Sequence, residues 1–285
     1  MVQALHIKQL YLKFNFINFG KIRKMKILTL IPLLAALLFS TSYKTQIIAD
    51  LAKLTPLDAE LTTVVYPFTV TFKTVENQGQ NLKMAFMDSK PNNWNGKTIV
   101  LLHGKNFNGY YFEETAKALN KDGFRVIMPD QIGFGKSSKP KQYQFSFQQL
   151  AENTKTILDD LKIEKFILLG HSMGGMLATK MAVMYPDRIE KLILENPIGL
   201  EDYRKFSPYQ NIDKPYASEL KNTYQSYKEY QLKFYYDGKW KPEYDKWLNL
   251  LAGWTIHPDF TKTAWNAALT TDMVYTQPVV YDFEN

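Results

Sequence analysis

Four short runs of continuous apolar character punctuate the middle of the chain, over residues 98–102, 125–128, 165–169 and 191–194. Runs this short and uniform suit strands covered on both faces, as in a parallel sheet. Helical patterns separate them. Phe112, Ala116 and Leu119 share a face, with Glu113 and Glu114 where negative charge complements the helix dipole and Gly123 beyond as a stop signal. Ser146 and Gln149 have capping-box spacing and open a stripe of Phe147, Leu150, Ala151, Ile157, Leu158 and Leu161. Such alternation predicts an α/β fold, a mostly parallel sheet with helices on both faces and right-handed crossovers. Upstream, Phe68, Val70, Phe72 and Val75 alternate loosely within residues 66–86, Gly79 marks a turn, and residues 82–87 form a second run, together predicting an antiparallel strand pair.

From residue 203 to 254 the alternation stops and aromatics crowd in, among them Tyr216, Tyr230, Phe234, Tyr235, Trp240, Trp247 and Trp254. This segment reads as a helical insertion whose aromatics pack, over a pocket or against a partner. The organisation expected is a leader over 1–42, an α/β core over 43–198, a helical cap over 199–275 and a return to the core over 276–285.

Charge changes little of this. The chain has 285 residues and a formal charge of +7, but residues 1–42 hold six of the 35 basic residues and no acidic one. Without those six, basic and acidic residues nearly balance, so the basicity gives no argument for nucleic acid. The leader itself has meaning. After Met25 and Lys26 an apolar stretch runs over 27–39, followed by Ser40, Thr41 and Ser42. A basic start, an apolar run and a small-residue exit are the marks of a secretory signal peptide, and the run falls short of the roughly 20 residues of a membrane span. Cleavage near Ser42, translation from either Met1 or Met25, and a periplasmic or secreted protein are expected, with an uncleaved anchor as the alternative. There are no cysteines, which excludes disulfides and thiolate metal sites.

The segment that carries chemistry is Gly170-His171-Ser172-Met173-Gly174, set between an apolar strand and a helix through Met176, Leu177, Lys180 and Met184. A serine on a sharp strand-to-helix turn needs small neighbours, because a Cβ at either flanking glycine collides with the turn. The helix start then aims free N–H groups at the reacting oxygen, with Met173 N–H as one oxyanion donor. His103-Gly104-Lys105 closes an earlier strand, and its loop can supply a second donor, Lys105 N–H, with Asn106 as a near alternative. His103 reads as structural, and His171 as packed beside the turn and pointing away from the serine. A third loop, Asp130…Gly133…Gly135…Ser137, has neither phosphate-loop nor dinucleotide-loop spacing, so no cofactor is expected.

Together these three motifs, in this order and spacing, resemble the α/β-hydrolase superfamily in its serine-nucleophile form with a helical cap. The resemblance covers residue 66 to the C-terminus. It implies that Ser172 attacks a carbonyl carbon and forms an acyl-enzyme, on a small-molecule ester, amide or related substrate, with no cofactor. Serine at the elbow is unlike the haloalkane dehalogenases and epoxide hydrolases. It is similar to esterases, lipases, peptidases, C–C hydrolases and cofactor-free haloperoxidases. The family order places an acid and then a histidine after the serine. Here only His257 follows Ser172, inside the aromatic insertion, and Glu195 at a strand end is the acid candidate. A C-terminally truncated hydrolase with impaired chemistry is therefore expected, with an inactive binding module as the alternative.

Overall fold

The computed structural model describes residues 54–284, so the expected leader lies outside the described residues. β1 (Val70–Asn77) and β2 (Gln80–Ser89) form an antiparallel hairpin paired from Val70 opposite Met87 to Asn77 opposite Gln80. Its loop is Gln78 and Gly79 alone, at φ +52° and +71°. Two left-handed residues in succession match the twist of the flanking strands in a two-residue hairpin. Phe72, one of the loosely alternating apolar residues, is exposed, with Lys83 Nζ 5.6 Å from its ring centroid.

β3 (Thr98–Leu102) leads to α1 (Glu113–Lys121) and β4 (Arg125–Pro129). α2 (Phe147–Asp160), β5 (Phe166–His171), α3 (Met173–Met184) and β6 (Ile189–Glu195) follow. The sheet order is β1-β2-β4-β3-β5-β6, antiparallel at β1/β2 and β2/β4 and parallel across β4, β3, β5 and β6. Strand parity divides the core. Val100 and Leu102 join Ile127 and Leu168 beneath α2 and α3, whereas Ile99 and Leu101 join Val126 and Met128 against Phe112 and Ala116. Continuous apolar runs are needed because successive residues face opposite covered sides.

Two expectations are corrected. Ser146 caps α2, accepting from Gln149 N at 3.0 Å, but Gln149 donates its amide to Asn153 at 3.1 Å, so only half of the box forms. β6 was read as covered on both faces. Among the described residues it pairs with β5 alone, and its Leu192 and Ile193 are 37% and 43% exposed.

Beyond β6 come α4 (Asp213–Glu219), α5 (Tyr224–Phe234), α6 (Asp245–Thr255) and α7 (Phe260–Thr276). α5 starts with a complete capping box between Thr223 and Ser226. α4 packs on α7 and α5 on α6. The latter pair is tied to the chain's first described turn by Leu57 N to Gly253 O, 3.0 Å, and by Trp254 Nε1 to Asp58 O, 2.9 Å. After α7, Val279 enters the main core and Asp282 pairs with Lys180 of α3 at 2.5 Å. No helix among the described residues is long and apolar enough to cross a membrane.

Candidate active site

β5 ends at His171 and α3 begins at Met173, so one residue, Ser172, makes the whole turn. It sits at φ +55°, ψ −119°, a region where side-chain-bearing residues are strained by about 1–3 kcal/mol. Backbone bonds hold it there: Ser172 N donates to Glu195 O at 3.2 Å, while Ser172 O accepts from Gly175 N at 2.9 Å and Ile198 N at 3.2 Å. Its flanking glycines are sterically required. A Cβ on Gly170 would lie 2.2 Å from Gly174 O, and one on Gly174 would lie 2.1 Å from Leu102 O.

The loop after β3 meets the turn directly. A Cβ on Gly104 would stand 3.0 Å from Ser172 Cβ and 3.2 Å from His171 Nδ1. Lys105 therefore begins beside the serine, and its side chain leads away to Glu219 at 2.6 Å, anchoring the loop to the end of α4. His103 is fully buried and saturated: Nδ1 meets Gly104 O at 2.9 Å and Nε2 accepts from Gln131 N at 3.0 Å. Burial holds this imidazole below its usual range, so it is a neutral strut between two loops.

Asp130 is likewise a bracket. Its carboxylate accepts from Gly109 N (2.6 Å), Lys136 N (2.7 Å) and Tyr66 Oη (2.8 Å), and its carbonyl accepts from Ser137 Oγ (2.6 Å). Gly135, at φ +49°, lets the loop close, since a Cβ there would lie 2.0 Å from Asp130 Oδ2. Both conserve the shape of the loop below the turn and stand apart from the cavity wall.

That cavity, of about 330 Å³, opens over Ser172 and is lined by Tyr111, His171, Glu195 and Asn196 on the sheet side and by Tyr230, Phe234 and Tyr235 from the helical segment. His171 is packed, as expected, but it does not point away: it forms part of the wall beside Ser172. Its ring stacks on Tyr111 at 5.8 Å and meets Phe107 and Tyr235 edge-on. Its buried Nδ1 has no partner among the described residues. Burial lowers its pKa, and the Glu195 carboxylate opposes that shift. Burial likewise pushes the phenols of Tyr111 and Tyr235 upward, so both stay protonated donors.

The candidate acid and the one later histidine are placed differently. Glu195 is exposed at the end of β6, on the cavity rim. His257 lies between α6 and α7, where Nδ1 accepts from Asp259 N at 3.1 Å, and it is not part of the cavity wall. Among the described residues no imidazole nitrogen is hydrogen-bonded to Ser172, and no cluster of side chains fit to hold a metal ion is present. Sequence reasoning missed Tyr111, Asn196 and the contributions of Tyr230, Phe234 and Tyr235. The aromatic crowding of residues 203–254 signalled the last three, without saying which rings reach the serine, and nothing in the sequence signalled Tyr111 or Asn196.

A family model described as the alpha/beta hydrolase fold matches residues 97–250. A solved probable hydrolytic enzyme from Pseudomonas aeruginosa PAO1 is 44% identical, with a TM-score of 0.79, over 80% of this chain and 73% of that one. An uncharacterised hydrolase of Saccharomyces cerevisiae is 34% identical over 125 residues, 43% of each chain. The cis-3-alkyl-4-alkyloxetan-2-one decarboxylase of Shewanella oneidensis is 33% identical over 108 residues, 37% of this chain and 34% of that protein. The chain thus matches less than half the length of these curated relatives.

Proposed function

This chain belongs to the α/β-hydrolase fold family, and on that premise we propose that it is a serine hydrolase with Ser172 as its nucleophile. The observation that carries this reading is the backbone of Ser172, held at φ +55° at the start of α3 and beneath the cavity. A strained residue secured by three backbone bonds is a site kept for geometry, since an unstrained turn would fold more readily.

In this reading Ser172 Oγ adds to the carbonyl carbon of a small ester, amide or related substrate. The developing oxyanion is met by Met173 N–H, at the free end of α3, and by Lys105 N–H. The proton lost from Oγ leaves on the alcohol or amine as its bond to the carbonyl carbon breaks, and water then cleaves the acyl ester, giving the acid and restoring Oγ–H. The rings of Tyr111, Tyr230, Phe234 and Tyr235 favour an apolar or aromatic substituent on that substrate. Glu195 is the acid candidate at the cavity rim. No cofactor enters this scheme. For a serine without an imidazole partner, oxyanion stabilisation and binding alone leave about 10³–10⁴-fold acceleration over water, and among the described residues Ser172 has no such partner. The same observation favours a second reading, in which the cavity binds a small molecule without turning it over. The leader motif adds export to the periplasm or beyond as part of the proposal.

A fluorophosphonate probe separates the two readings, using the full chain. Labelling that disappears in Ser172→Ala supports the nucleophile. Folded protein that takes up no probe, or labels equally in Ser172→Ala, rejects it.

A further inference from the structure

A larger open cavity, about 680 Å³, lies between α4, α7 and the loop that follows the Asp130 motif, and it shares no wall residue with the cavity over Ser172. Its polar wall is cationic: Lys139, Lys141 and Lys262 line it and no carboxylate does. Its apolar wall is aromatic. Tyr216 of α4 meets Trp265 of α7 edge-on, with centroids 5.2 Å apart. Trp265 Nε1 donates to Lys141 O at 2.8 Å, which fixes the indole and sets Lys141 beside it.

The three lysines have different tasks. Lys139 Nζ is engaged by the loop, donating to Gly135 O and, at 2.7 Å, to Ser137 O, so its stem lines the cavity while its charge is turned inward. Lys262 pairs with Asp259 at 2.6 Å yet stays 60% exposed, and Lys141 is exposed. Their ammonium groups therefore stand at the rim, next to a flat ring. Between them, Asn266 is 1% exposed and donates Nδ2 to Pro140 O and Lys262 O, leaving Oδ1 without a partner among the described residues.

We propose that this cavity binds an amphiphilic organic anion, its carboxylate between Lys141 and Lys262 and its aryl or alkyl body against Trp265 and Tyr216. Ring faces give contact area with little ordering penalty, and the Lys141 ammonium, with that of Lys262 beside its Asp259 partner, selects the sign of the headgroup. A cation of the same shape is repelled, and a neutral analogue loses the rim contacts. This site stands independently of the reaction proposed for Ser172.

The test is calorimetric titration of the full chain with 2-naphthoate and with neutral 2-naphthamide. Naphthoate should bind about tenfold more tightly, since each partly exposed ion contact adds modestly and two act together. Its affinity should fall with added salt. Lys141→Gln/Lys262→Gln should abolish the preference for the anion, and both residues are exposed, so the fold should survive, as a thermal melt will verify. Trp265→Ala should weaken both ligands. Equal affinities for naphthoate and naphthamide overturn the proposal. So does unchanged binding in the double lysine variant, or binding lost in Phe234→Ala instead, which would put the anion over Ser172.

Discussion

Gly174→Ala sets two effects of opposite sign against each other. Gly174 lies in the first turn of α3, and alanine in a helix is favoured over glycine by about 1 kcal/mol, so propensity alone predicts a stabilised protein. The structure predicts the reverse. The new methyl would sit 2.1 Å from Leu102 O, 2.6 Å from Leu102 C and 2.8 Å from His103 O, all of them backbone. Those atoms end β3, which is hydrogen-bonded between β4 and β5, so they have no rotamer with which to yield. Overpacking of this kind costs about 1–3 kcal/mol, and contact with fixed backbone belongs at the upper end. After the propensity gain, a net loss of about 2 kcal/mol remains, which for a domain of this size lowers Tm by roughly 4–8 °C. Gly79→Ala is the control: its methyl meets nothing within 4 Å, and only φ +71° opposes it, worth about 1 kcal/mol. Thermal unfolding followed by circular dichroism gives both numbers. A Gly174→Ala protein as stable as wild type, or less perturbed than Gly79→Ala, would refute the claim that the β3 backbone fixes the small residue here.

Asp130→Ala leaves Gly109 N, Lys136 N and Tyr66 Oη without their buried acceptor, so urea denaturation should show a loss of about 3–5 kcal/mol, and a loss below about 1 kcal/mol would mean the bracket is dispensable. Ser172→Gly should be more stable than Ser172→Ala by about 1 kcal/mol, because glycine relieves φ +55° while alanine keeps the strain; equal melting temperatures would show the turn to be unstrained. Acid should destabilise the protein before its carboxylates titrate. Burial holds His103 and His171 below the ordinary imidazole value of 6.5, so the unfolded chain takes up protons first. The stability they allow is complete above pH 6.5 and is lost as pH falls below it, toward their folded pKa values. Tm measured from pH 7.5 to 5 should therefore decline, with a shallower slope in His171→Phe, and a flat profile would contradict the assignment.

What could be read from the chain follows the range of the forces involved. The sheet was legible because residues 98–102 must be apolar on both sides: Ile99 and Leu101 serve one helical layer, Val100 and Leu102 the other. The turn at Ser172 was legible because its two required glycines lie within two residues of it, although what holds Gly174 small is the distant backbone of Leu102 rather than the turn itself. His171 was misplaced for the complementary reason. Its neighbours Phe107, Tyr111 and Tyr235 come from two distant segments, and no local pattern says that they converge on it. β6 shows the limit of the strand rule. Its residues read like those of β3, yet Leu192 and Ile193 stand exposed because burial depends on which strand lies beside it, and sequence pattern records only the strand itself.

The helical segment extends that argument to the cavity. Its aromatics divide into rings that meet one another, such as Tyr236 stacked on Tyr244 at 3.6 Å, and rings that reach across to the sheet, such as Tyr235 against Phe107 and His171. Both kinds have the same composition and nearly the same spacing. They differ in where α5 ends: the helix stops at Phe234, Asp237 and Gly238 adopt positive φ, and the chain turns back with Tyr235 directed at the serine's neighbour and Tyr236 at α6's approach. One wall of the Ser172 cavity, at Phe234 and Tyr235, is therefore set by the end of one helix. Substitutions at 237 and 238 should reshape the cavity wall more than changes to the lysines and glutamates along α5.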